Sequence, residues 1–472
     1  MRGIEIKRGM LLGTSAVAAL LAAPAFADDT TNEQAELQAR LNALKARLSA
    51  LESGNQGQQQ GTSAEQVAPA QAVTGGAFPG SWKLPGSDTS ISFSGYVKAD
   101  SFFTFNAPST AIGDSFVLSN IPIKGTAANS QGGDFRMHAR QSRIRFETRT
   151  PTDWGNLVTR IEGDFFGPAG NQRVSNSDAF RIRQAYGVLG PVLAGQTQST
   201  FMDEDTFAEM VDNYGPSGDT NIRQTQIRYT YEAGPGMFID GAIENPETQI
   251  QSSSGAGVTG NMNAFAVDQM PDVIARFRYK ASWGAVNVSG VARYFNYNQG
   301  NFSNDSTFGG GFHGGATINT WGKDTVKGTF NYGPGIGRYI RDAAAGNTDT
   351  YVTCANGSNQ VMTAGCGADL QTVTMMGGWA SYTHWWGDNI RSNVNYGWFH
   401  SDVPTGQLGS GANGFNENIQ SAAVNLIWNP VSKVAIGLEY MYGWRYLARA
   451  ATANGQMEGN ASRLQLGMQY FF

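Results

Sequence analysis

The chain has 472 residues, 60 of them glycine, with 11% aromatic and only 15% charged side chains, a formal charge of −5 and a mean hydropathy of −0.32. The lack of a basic excess argues against a nucleic-acid partner, and no stretch approaches the ~18 consecutive apolar residues of a membrane-crossing helix. A chain that is polar on average yet rich in glycine and aromatics suits a barrel whose strands show one face to lipid and the other to water.

In chain order, Arg2, Lys7 and Arg8 precede an apolar run at residues 10–21 and then Ala25-Phe26-Ala27. This three-part pattern predicts a cleavable secretory signal over residues 1–27. Residues 28–53 are a predicted periplasmic helix, because Leu37, Leu41, Leu44, Leu48 and Leu51 repeat at spacings of 4, 3, 4 and 3, a coiled-coil seam. At 1.5 Å per residue the helix is about 30 Å long, and three heptads are marginal alone. A homotrimer would bring three such helices together; a single amphipathic helix resting on another surface is the other reading. Residues 54–88, rich in Gly, Gln, Ser, Ala and Pro, read as a flexible linker.

Residues 89–472 read as an all-β transmembrane barrel of about 16 antiparallel strands. The alternating segments are 89–105, 136–149, 155–166, 179–189, 192–199, 222–232, 237–245, 272–280, 285–297, 307–320, 324–333, 371–385, 389–400, 417–428, 432–447 and 461–472. Odd segments end in long polar loops and even ones in tight turns such as Leu189-Gly190-Pro191, the asymmetry of an outer-membrane barrel. Trp154, Trp283, Trp321, Trp385, Trp386 and Trp428 fall at the short turns, where they would form an interfacial girdle. The alternation of Leu464, Leu466, Met468, Tyr470 and Phe472 resembles the terminal strand by which such barrels are recognised for assembly. A soluble periplasmic β protein is the plainer alternative.

The alternation also sorts the charges. Arginine at mid-depth on a lipid face costs about 2–4 kcal/mol, so an Arg that alternates with apolar residues must point into the lumen. This rule places Arg143, Arg145 and Arg149 inside from segment two, Arg160 from three, Arg181 and Arg183 from four, Arg228 from six, Arg276, Arg278 and Lys280 from eight, and Arg293 from nine, with Lys98 inside from one. Exposed guanidiniums would form a positive ladder favouring small anions, carboxylates above all. Alternatively, Glu147, Glu162, Asp164 or Glu244 neutralises them in ion pairs that merely fill the wall.

The third long loop, residues 201–221, carries Asp203, Glu204, Asp205, Glu209, Asp212 and Asp219. By analogy with general porins it would fold inward as a constriction loop, its acids facing the arginine wall. A solvated surface loop, or a calcium site from Asp203, Asp205 and Glu209, are the alternatives, although that spacing fits no complete calcium loop. Cys354 and Cys366 sit in one polar loop of a chain routed to an oxidising compartment, which favours a disulfide over a metal site. His138, His313, His384 and His400 are scattered, and the glycine run from Gly333 to Arg338 lacks the strand-to-helix setting of a phosphate loop, so neither catalysis nor a cofactor is expected.

From end to end the chain resembles the DcaP-like porin family. The resemblance is carried by Ala139-Arg140-Gln141-Ser142-Arg143-Ile144-Arg145-Phe146, Arg181-Ile182-Arg183-Gln184-Ala185-Tyr186-Gly187, Ala194-Gly195-Gln196-Thr197, Ile243-Glu244-Asn245-Pro246, Met270-Pro271-Asp272 and Gly337-Arg338-Tyr339 in that order. It implies a homotrimeric channel in the outer-membrane lipid of a Gram-negative bacterium, preferring small negatively charged solutes such as dicarboxylates, with Arg143, Arg145, Arg181 and Arg183 in the lumen. Relatives tend to have tryptophan where this chain has Gln198. A second reading makes the protein an envelope organiser whose helix binds cell wall or a partner. An enzyme lacks a nucleophile and base, and an energy-coupled receptor lacks room for a plug.

Overall fold

The computed structural model describes Arg40, Asn42, Ala43, Lys45 and Ala46, and residues 75–472 except 169, 172, 253–260, 301–302, 345–346, 355–366 and 451–454. The chain divides into two units, residues 1–70 and 71–472. The five described residues of the first unit are helical and exposed. The expected signal and the five seam leucines lie outside the described residues.

Sixteen long strands form the second unit. They are β1 (Ser90–Thr104), β2 (Arg143–Thr152), β3 (Gly155–Gly167), β4 (Ala179–Leu189), β5 (Val192–Gln198), β6 (Arg223–Gly234), β7 (Met237–Glu244) and β8 (Asp272–Ala281). The series continues through β9 (Gly284–Asn298), β10 (Asn304–Asn319), β11 (Thr325–Pro334), β12 (Thr374–Trp385), β13 (Ile390–Ser401), β14 (Asn416–Trp428), β15 (Val434–Leu447) and β16 (Glu458–Phe471). Each pairs antiparallel with the next, and β1 closes the barrel on β16 from Tyr96 opposite Phe471 to Thr104 opposite Arg463. Closure leaves no sheet edge, as a bilayer demands.

The burial pattern is that of an ordinary protein turned inside out. Along β2, Ile144 and Phe146 are exposed while Glu147 is buried; along β8, Val273 and Phe277 are exposed while Arg276 is buried. Trp154, Trp321 and Trp386 stand 80%, 75% and 67% exposed at the short turns, where an indole sits between hydrocarbon and water.

Two local departures break the simple alternation. Residues 139–142 interrupt the second segment, splitting it into Asp134–His138 and β2, both paired to β1. Between β3 and β4 the register slips, with Glu162 opposite Gln184 and Gly163 opposite Ile182, so Arg183 is the extra residue of a bulge. Arg183 and Gln184 are consequently both buried toward the lumen. The last part of the expected linker also proves structured. Trp82–Lys83 pairs with Ile91 and Ser90, and the Arg149 guanidinium lies 4.3 Å from the Phe78 ring centroid.

The interior of the barrel contains its own apolar core. Phe116, Leu118 and Ile121 from the first loop, Phe201 and Tyr214 from the third, Ile336, Tyr339 and Ile340 from the sixth and Leu408 from the seventh pack against Met375, Phe399, Ile419 and Met441 on β12 to β15. Burial of these side chains, roughly 1.5–3 kcal/mol each, holds four loops inside the barrel rather than the single loop expected from the sequence. Outside this core, Ile250–Ser252, Thr350–Cys354 and Ala368–Thr372 form a three-stranded sheet joining the fourth and sixth loops. Cys354 in that sheet is disulfide-bonded. Cys366, the chain's other cysteine, lies outside the described residues.

Candidate functional site

Strands β2 to β6 carry eight lumen-side arginines, Arg143, Arg145, Arg149, Arg160, Arg181, Arg183, Arg223 and Arg228, against three buried carboxylates, Glu147, Glu162 and Asp164, and an exposed Glu232 near the short turn. Each buried carboxylate is shared. Glu162 accepts from Arg145 at 2.7 Å and lies 3.4 Å and 3.3 Å from Arg143 and Arg183; Asp164 binds Arg181 at 2.7 Å and Arg183 at 2.6 Å; Glu147 binds Arg149 at 2.8 Å and Arg160 at 2.6 Å. Because one acid anchors two or three guanidiniums, the panel is held rigid and still keeps a positive excess. Aromatic rings brace it, with Arg143 over Tyr96, Arg160 over Tyr186 and Arg181 over Phe166 at 5.2, 5.7 and 5.4 Å. On β8, Arg276 and Arg278 extend the array and share Asp240, each at 2.9 Å.

Two of the sequence-predicted cations do not face open lumen. Arg293 is fully buried between Asp272 at 3.1 Å and Asp349 at 2.9 Å, and also donates to the carbonyl oxygens of Gly335 and Glu247. Lys98 is buried beside Asp100 at 3.1 Å and donates to the Val211 carbonyl at 2.6 Å. The alternation put both on the correct face, but the inward loops cover them. In the opposite direction, Arg223 was overlooked because strict alternation from Arg228 assigns it to the outward face with Thr225 and Ile227, whereas at the start of its strand it and its cross-strand partner Gln198 both border the lumen cavity.

The third loop, residues 199–222, runs across the lumen. Its backbone carbonyls accept from Arg276 at Met202, from Ser289 at Phe201, from Thr317 at Asp205, from Lys327 at Phe207 and from Asn425 at Glu209. Its peptide N–H groups at Val211 and Asp212 donate to Glu439, at 3.1 and 2.9 Å. The returning arm lies on β12 and β13. Gly218, at φ +74°, sits so close that a Cβ there would come within 2.1 Å of the Trp398 carbonyl oxygen.

The acids of this loop do not form the expected front toward the arginines. Glu209 turns away to Arg391 on β13, 2.7 Å distant; Asp205 pairs with Lys280; Asp203 caps its own turn by accepting from Asp205 N at 3.0 Å. These three diverge, so the calcium arrangement does not form. Asp212 accepts from Tyr214 N at 2.7 Å and Phe116 N at 3.2 Å, and burial pushes its carboxyl up, against the pull of Arg463. Glu204 alone of the six acids stands exposed, bordering the lumen cavities.

Between panel and loop are two cavities, of about 380 Å³ and 210 Å³. The larger, toward the long-loop end, joins Arg143, Arg183, Arg223 and Arg341 to a loop surface of Phe207, Ala208, Met210 and Pro216. The smaller joins Arg228, Arg276, Arg278 and Lys280 to Asp203 and Asp205. Arg160, Gln184, Gln198 and Glu204 border both, so Gln198 stands where the two meet. The histidines take separate places: His313 bonds Asn331, His384 bonds Asp324, His400 bonds Asn418, and His138 packs between Phe102 and Phe166. Among the described residues no group of three His, Cys, Asp or Glu is placed to hold a metal.

A closed sixteen-stranded barrel, apolar outside and charged within, its lumen narrowed by inward loops, defines a porin-type protein of the Gram-negative outer membrane. The chain belongs to the DcaP outer membrane protein family, whose model matches residues 37–298, more than half of its length. Porin Omp2b of Brucella canis is 25% identical over 223 residues, 46% of this chain and 54% of that protein; Omp2b of Brucella melitensis is 27% identical over 157 residues, 32% and 41% respectively. The chain thus spans about half the length of the curated relatives it matches. Among solved structures, the outer membrane channel DcaP of Acinetobacter baumannii superposes with a TM-score of 0.67 at 21% identity, covering 84% of this chain and all of that one, which shows a common fold.

Proposed function

We propose that the protein is a passive diffusion channel that favours small anions, dicarboxylate-like solutes in particular. The carrying observation is the charge imbalance of β2 to β6, where six arginines share three carboxylates and Arg223 and Arg228 add charge without an ion-pair partner among the described residues at the border of the lumen cavities. In a confined space of low effective dielectric such an excess concentrates anions and repels cations. Planar guanidiniums in a fixed fan suit the two oxygens of a carboxylate. The Brucella relatives are named porins, and this reading extends that activity to the present chain.

The test is a planar-bilayer recording of the purified protein in a KCl gradient. Stepwise conductance with a reversal potential displaced toward chloride is expected, and a displacement toward potassium would sink the selectivity claim. The same proposal takes residues 1–27 as a removed secretory signal and residues 28–53 as a periplasmic helix. Its leucine spacing supports a homotrimer, since three short helices stabilise one another where one is marginal.

A further inference from the structure

We infer that the lumen holds two anion subsites in series, one on Arg223 and one on Arg228, separated by Glu204. The inference rests on the anion-preferring reading above and divides its site into two. Arg223 lines the larger cavity and Arg228 the smaller. Both lie on β6, five residues apart, about 17 Å along an extended strand, which is further than a short dicarboxylate reaches.

Among the described residues, the other arginines and the lysine lining these cavities have carboxylate partners: Glu162 for Arg143 and Arg145, Glu162 and Asp164 for Arg183, Glu147 for Arg160, Asp219 for Arg341, Asp240 for Arg276 and Arg278, and Asp205 for Lys280. Arg223 and Arg228 have none, and the Nε of each is buried without a hydrogen-bond partner. Each cavity thus owns one guanidinium that combines a buried Nε–H lacking an acceptor with the absence of an ion-pair partner among the described residues. A buried donor of that kind is costly until an acceptor arrives, which favours an anion at each of two places over one diffuse cloud.

Glu204 borders both cavities from the third loop, exposed and without an ion-pair partner among the described residues. A carboxylate there repels an anion midway between the two arginines and makes a barrier between two wells. Arg160, bordering the same passage, keeps the barrier low enough to cross. Two wells also let an entering anion push out the one ahead of it, which reconciles binding with throughput.

The experiment records chloride current through the full-length protein, inserted from a fixed side, with citrate as a slowly passing blocker added to one chamber at a time. Arg223→Gln should lower the frequency of blocks about tenfold for citrate from the long-loop side and leave the other side near wild type; Arg228→Gln should do the reverse. Arg223→Lys and Arg228→Lys should restore the frequencies, and Glu204→Gln should shorten the blocks. Neither arginine balances a buried carboxylate, so both Gln variants should still insert and conduct chloride in discrete, smaller steps, and a wild-type far-UV circular dichroism spectrum reports that the barrel has formed. Equal loss from both sides in either Gln variant means one undivided site and overturns the inference while leaving anion preference standing. A wild-type channel that prefers potassium overturns the underlying reading together with it.

Discussion

Glu162 and Arg293 show how far an arginine's role depends on what faces it. Glu162 is almost completely buried beneath three guanidiniums, one of which, Arg145, keeps 39% of its side chain exposed, so the acid positions charge for the lumen without cancelling it. Arg293 sits between two carboxylates with nothing exposed, and its charge is spent within the wall. We predict that Arg293→Gln, which strands Asp272 and Asp349, costs about 3–5 kcal/mol in denaturant unfolding while leaving the reversal potential of surviving channels unchanged. A shifted reversal potential would return Arg293 to the pore. Period-two alternation and the penalty for arginine in lipid made the faces of Arg143, Arg145, Arg160, Arg181 and Arg183 legible from sequence. Which of them shared an acid was not, because pairing depends on register between strands that a single sequence does not state.

At the level of elements, strand positions were read to within a few residues except at the second segment, which residues 139–142 divide, since both lipid and water police the alternation. The loops were read less well. The inward third loop could be anticipated only by analogy, and nothing separated Phe116, Leu118 and Ile121, or Ile336, Tyr339 and Ile340, from ordinary loop hydrophobics until they met β12 to β15. The acids of the third loop misled for the same reason: Glu209 and Asp205 find partners on β13 and β8, remote in sequence. The returning arm of that loop is vulnerable at one point. Gly218→Ala introduces a Cβ at a left-handed φ, costing about 1–2 kcal/mol before its clash with the Trp398 carbonyl is counted. The arm should lift off the wall into the lumen, and a unitary conductance below wild type would register this; an unchanged conductance would show that the arm yields elsewhere.

For the molecule as a whole, stability and permeation are assigned to opposite sides of one interior. The β12 to β15 side and its docked loops carry most of the apolar core, whereas β2 to β6 keep their arginines beside open cavities. The assignment of faces can be checked directly with Arg145→Cys and Ile144→Cys in membrane-embedded protein, treated with a water-borne thiol reagent. Residue 145 should label and residue 144 should stay shielded by lipid; the opposite result would invert the barrel's phase. The native disulfide at Cys354 keeps the background low.

The bulge on β4 gives this wall an unusual tolerance. Elsewhere in a strand, dropping one residue rotates everything beyond it by half a turn, sending guanidiniums to oil and isoleucines to water. At Arg183 the backbone has already absorbed a surplus residue, so its loss would leave Arg181 and Gln184 inward and Ile182 outward. The wall can therefore lose this one cation by deletion without rebuilding the rest of the strand.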